Sequence, residues 1–171
     1  ESVAFGFTNT ISAAEAVAMG RNNQVIATGG SAIGNNNQAM AMYSTAIGND
    51  NYAIGENSSA IGLGNNITAN DATALGNKTA ASGISAGAVG ISNTASGHNA
   101  QAFGYLNEAT AQDSQAFGAQ NKATERYASA FGHENEAKAY AGSALGVKNV
   151  VTGDFGSAVG YDNTGSHHLA Q

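Results

Sequence analysis

A glycine recurs every 14 residues along this 171-residue chain, at 6, 20, 34, 48, 62, 76, 90, 104, 118, 132, 146 and 160, with no insertion or deletion. So strict a period restricts the fold to a stack of equivalent units, each covering the face of the next. With that glycine as position zero, Ala stands at −2 in all twelve units and a larger apolar residue at −1. Asn occupies +3 in eleven units, from Asn9 to Asn163, with Thr79 the exception. Position +5 is Ala, Val or Ile except at Gly165, and +7 is Ala or Gly except at Glu125 and His167. Residues 1–171 read as a single repeat domain.

Fourteen is also two heptads, but a coiled coil fails. Its seam needs a large apolar knob about every 3.5 residues, and here a dependable one comes once in 14. Each interior Gly costs a helix about 1 kcal/mol against Ala, and the chain has 23. Alternation of period two, as in Ser44-Thr45-Ala46-Ile47-Gly48, fits a strand. Each unit is therefore expected to be one coil of an all-β solenoid: a strand over −4 to 0, a turn, a strand over +4 to +8 and a second turn. Asn at +3 is placed in the first turn, where it tolerates left-handed backbone. Gly at zero supplies unusual dihedrals or close backbone approach. Twelve coils stacked about 4.8 Å apart make a rod roughly 58 Å tall.

The small residues at −4, −2, zero, +5 and +7 point to a thin lumen between two closely spaced walls. Position −1 then faces outward as a stripe of Phe5, Met19, Ile33, Ile47, Ile61, Leu75, Val89, Phe103, Phe117, Phe131, Leu145 and Val159. The alternative puts −1 in the lumen and Ala outside; the constancy of Ala argues against it, because a lumen tolerates little change of volume. Burying one large apolar side chain is worth about 1.5–3 kcal/mol, so the stripe carries roughly 18–36 kcal/mol at most. Monomers rarely expose so long an apolar patch. The expectation is an obligate oligomer of cyclic symmetry with the stripe at its centre; spacing alone does not separate three copies from two.

The unit resembles the head repeat of trimeric autotransporter adhesins of the YadA type, whose recurrent motif is S-V-A-I-G-x-x-S/N. Ser58-Ser59-Ala60-Ile61-Gly62, Ser157-Ala158-Val159-Gly160 and Ser44-Thr45-Ala46-Ile47-Gly48 running on to Asn51 carry the likeness. It implies a left-handed parallel β-roll of about twelve 14-residue coils, assembled as a homotrimer. It also implies an exposed head on the bacterial outer membrane, attaching to host cells or to matrix proteins of the collagen, laminin and fibronectin class. Two departures keep the ligand open: the family's Val at −3 survives only at Val3 and Val17, and its frequent Ser at +3 is Asn here. No signal, neck, stalk or barrel anchor is read in these residues, and the pattern decays through Gly165 and His167-His168-Leu169.

Composition narrows the functions. Ala (35), Gly (23) and Asn (20) fill nearly half the chain, which has no Pro and no Cys. Without Cys there is no disulfide framework, and zinc would lack its usual sulfur ligands. Six Lys+Arg against twelve Asp+Glu give a net charge of −6, no footprint for nucleic acid, and about −18 on three copies. No apolar run is long enough for direct membrane insertion. Equal positions in successive coils form columns. Column +4 holds Glu108, Lys122 and Glu136, and column +2 holds Glu134, Lys148 and Asp162, both read as exposed ladders of alternating charge. Tyr105 and Tyr161 at +1 and Tyr52 at +4 are scattered contact candidates. The histidines, His98, His133, His167 and His168, lack metal-ligand spacing, and His167-His168 reads as a solvated end. No catalytic set, cofactor motif or metal site is expected. A structural fibre segment, of phage or surface-layer type, and an ice-binding solenoid are the alternatives; column +6 has a Thr/Ser bias but no paired Thr array.

Overall fold

The computed structural model describes residues 1–166. It is an all-β parallel solenoid of twelve coils, built from two twelve-stranded sheets. One sheet contains the long strands, from Val3–Phe7 through Thr45–Asn49 to Ser157–Tyr161. The other contains the short strands, from Thr10–Ile11 to Thr164–Gly165. Strands follow one another in chain order within each sheet. Within each sheet a strand residue pairs with the one 14 later: Ala46 with Ala60, Ile47 with Ile61, Gly48 with Gly62. A constant period leaves only one register in which all columns match.

Strand limits differ from those expected. The long strand runs from −3 to +1, one residue later than −4 to 0, and the short strand covers only +4 and +5 instead of +4 to +8. The short strand ends early because the chain turns back at once. The amide of Gly30 donates to Ala27 and that of Ser44 to Ala41, closing four-residue turns. Their third residue, position +9, is left-handed, as at Tyr43 (φ 56°), Asp113 (φ 56°) and Phe155 (φ 57°).

Asn at +3 is a second correction. The left-handed residue of the first turn is +2, as at Asn22, Asp50 and Leu106, with φ near 55°. The +3 side chain is buried instead in every coil but the first and the last. The Nδ2 of Asn37 donates to Oδ1 of Asn23 one coil earlier (3.0 Å), to the carbonyl of Ile33 in its own coil (3.0 Å) and to the carbonyl of Gly48 one coil later (2.8 Å). Its Oδ1 accepts from both the amide and the Nδ2 of Asn51 (3.2 and 3.0 Å). A buried carboxamide is costly unless all its groups are paired, and here repetition supplies the partners.

The core between the sheets is almost entirely alanine, with Val25, Ile67 and Val151 the largest buried apolar side chains. Local volume is balanced. A Cβ on Gly30 would lie 2.7 Å from Val25 Cγ1, and one on Gly142 would lie 2.9 Å from Val151 Cγ1. Position zero does not line the lumen as expected. Its glycines have φ between +112° and +138°. A Cβ on Gly48 would lie 2.0 Å from the backbone oxygen of Gly62, so dihedral and close approach both demand glycine.

Candidate functional site

The long-strand sheet presents −2 inward and −3, −1 and +1 outward. Ala32, Ala46 and Ala60 are fully buried while their −1 neighbours are not. The structure thus places all twelve stripe residues on one outer wall. Phe5, Met19, Leu75, Leu145 and Val159 are exposed, Phe5 to 70%. Ile33, Ile47, Ile61, Val89, Phe103, Phe117 and Phe131 are half-buried against their coil neighbours. Phe103, Phe117 and Phe131 stack face to face at 4.9 and 5.1 Å between ring centroids. Column +1 extends the wall with Phe7, Leu63, Ile91, Tyr105 and Tyr161, all exposed. Tyr105 and Tyr161 therefore belong to the same wall as the stripe, and Tyr52 lies on the short-strand sheet.

The wall changes character along the rod. Near its start, Asn22 donates to Asn36 (2.8 Å), Asn36 to Asp50 (2.5 Å) and Asn35 to Asn49 (2.7 Å), forming polar ladders beside Ile33 and Ile47. Toward its end these give way to Tyr105, Ala119, His133 and Val147. The expected charge ladders form in part. Lys122 pairs with Glu108 at 3.4 Å and Lys148 with Glu134 at 3.7 Å. Glu136 turns instead to Lys138, two residues on, because both side chains rise from the same face of one coil.

An aromatic cluster escaped the column-by-column reading. Tyr140 packs edge-to-face between Tyr127 (5.6 Å) and Phe155 (5.3 Å). The Arg126 guanidinium lies 4.8 Å above the Tyr127 ring and donates to its hydroxyl. These residues occupy columns +8 and +9, which become adjacent only at the turn. Reading neighbouring columns together would have found them.

Among the described residues no group of three or more His, Asp and Glu is arranged to hold a metal ion. None forms a helix long and apolar enough to cross a membrane. His133 lies 3.6 Å from Glu134 on the outer wall, whereas His167 and His168 lie outside the described residues.

The family model described as YadA head domain repeat (2 copies) matches residues 26–51, 41–65, 53–79, 109–135 and 137–163. These matches cover more than half of the chain. A comparison with curated proteins gave no match.

Proposed function

Since the chain belongs to the YadA head family, we propose that it is the ligand-binding head of a trimeric autotransporter adhesin, displayed on the bacterial outer surface. The observation that carries the assembly is the outward wall. A roll whose apolar core is almost all alanine leaves most of its largest apolar side chains outside. Three rolls with Phe5 through Val159 turned to a common axis would bury that wall. The roll is left-handed on this reading, as the family implies.

The head acts as a binding module, not as an enzyme. Its uniform coils provide no long loop on which a reactive constellation could be built. The ligand class is a host matrix or cell-surface protein. A rod with twelve near-equivalent coils offers many similar weak sites, which suits fibrous or multivalent partners.

Light scattering of the soluble protein tests the assembly: three chains per particle are expected, and a folded 17.0 kDa monomer would overturn it. Immobilised collagen, laminin and fibronectin test the ligand class. Saturable binding by the folded oligomer, lost on heat denaturation, is expected. Absence of binding to all three and to host cells would overturn the adhesin reading.

A further inference from the structure

We propose that the two corners flanking the long-strand sheet carry a charge code that aligns copies of this chain side by side, pointing the same way along the rod and in coil-to-coil register. The proposal rests on the trimer reading above and adds what fixes its alignment.

An apolar wall alone cannot choose a register. Every coil offers a similar side chain at −1, so a slip of one coil, roughly 4.8 Å, leaves almost the same surface buried. The corners are not repetitive. Glu15 precedes the strand Val17–Arg21, and Arg21 ends it. Asp71 precedes Thr73–Asn77, and Lys78 follows it. Arg126 precedes Ser129–His133, and Glu134 follows it. Each of these coils is acidic at one corner and basic at the other.

The two opposite charges of one coil cannot pair with each other within a chain. Five strand residues at roughly 3.3 Å each hold the corners about 16 Å apart. Among the described residues only Glu134 of the six has an ion-pair partner, Lys148 at 3.7 Å with His133 at 3.6 Å. They can pair between chains. Around an axis parallel to the rod, the long strands of successive copies circulate head to tail, so the leading corner of one copy meets the trailing corner of the next at equal height. Three opposite-charge meetings result, Glu15 with Arg21, Asp71 with Lys78 and Arg126 with Glu134, against one like-charge meeting, Asp154 with Asp162 in the last coil.

Other alignments do worse. In a closed ring a chain displaced by one coil meets one neighbour offset in one direction and the other neighbour offset in reverse; the first interface keeps a single match, Glu56 with Lys78, and sets Arg126 against Lys148 and Asp113 against Glu134. The second interface keeps only Asp154 with Lys148 and sets Glu56 against Asp50. Antiparallel rods would bring coils from opposite ends together and lose all three matches. Apolar burial thus supplies affinity, and the corner charges supply register and polarity.

The native chain has no cysteine, which gives a clean test. A chain carrying Glu15→Cys with Arg21→Cys is expected to form a disulfide-linked ring on oxidation. One carrying Glu15→Cys with Asn35→Cys, offset by one coil, is expected to stay unlinked. An intrachain bridge across the strand is out of reach, because bridged Cα atoms lie within about 7 Å. Linkage only in the offset variant would overturn the register, and no linkage in either within a particle that light scattering shows to be oligomeric would overturn corner pairing. A monomeric native chain would instead overturn the trimer reading beneath it. As an independent measure, Glu15→Arg or Arg21→Glu alone should lower association about two- to fivefold per interface, and the two together should restore it. Additive losses in the double variant would refute the pairing.

Discussion

The carboxamide of Asn107 donates to the carbonyl of Gly118, one coil above it, at 2.8 Å. The same nitrogen reaches Asn93 below (3.0 Å) and Phe103 in its own coil (2.9 Å), so one side chain joins three coils. Thr79 interrupts this column. Its amide and hydroxyl both donate to Asn65 Oδ1, at 3.0 and 2.8 Å, but it has no carboxamide to reach Leu75 or Gly90. The backbone registers the difference: Gly76 has the largest φ of its column, 138°, and Asn77 Oδ1 nearby is buried without a partner.

Thr79→Asn should therefore repair the column and raise stability by about 1 kcal/mol, the net worth of a typical hydrogen bond or two. Asn107→Ala should do the reverse, costing about 3 kcal/mol or more, because several buried groups lose partners at once. Thermal or denaturant unfolding followed by circular dichroism measures both. Hydrogen exchange should locate the faster-exchanging amides of the native protein beside Thr79.

Gly48→Ala is expected to prevent folding of the solenoid around it. The added methyl would sit 2.0 Å from the Gly62 carbonyl oxygen, and φ of 120° is closed to alanine. Soluble yield and protease resistance should both collapse, whereas Gly64→Asn, at φ 65° with an added Cβ in ordinary contact with Lys78 Cγ at 3.6 Å, should be tolerated.

Ile47→Asp or Ile61→Asp should dissociate the oligomer while leaving each roll folded, since both side chains lie on the outer wall and not in the alanine core. Light scattering with circular dichroism separates loss of assembly from loss of fold. An unchanged oligomer would show that the stripe is not the interface.

Gln120 is held at φ 57°, a conformation disfavoured for a long side chain. Gln120→Asn should raise stability by about 0.5–1 kcal/mol, because Asn adopts left-handed backbone at lower cost. A matched loss on Gln120→Val would confirm that the gain is conformational.

Lys122→Ala should change stability by less than about 0.5 kcal/mol despite the 3.4 Å pair with Glu108, because both side chains remain close to half exposed and their attraction is screened by water. A loss well above 1 kcal/mol would mean that this exposed column contributes more than its pairwise charges can supply.

Much of the architecture was legible from spacing alone. An unbroken interval of 14 makes register arithmetic, so the pairing of Ile47 with Ile61 followed directly from their numbers. Constant alanine at −2 beside large residues at −1 already separated inside from outside, because a strand sends neighbouring side chains to opposite faces. Dihedral detail was not legible in the same way. Leu106 and Phe155 sit in left-handed turns although neither residue type announces such backbone, since the stacked coils impose the turn on whatever side chain occupies it. The role of Asn at +3 was hidden for a related reason. Asn favours turns and also forms buried ladders, and only the placement of Asn37 between the carbonyls of Ile33 and Gly48 decides between them. The Tyr127–Tyr140–Phe155 cluster likewise exists only once the turn brings two columns into contact. Periodicity specifies which coils meet, and three-dimensional packing specifies what each side chain meets there.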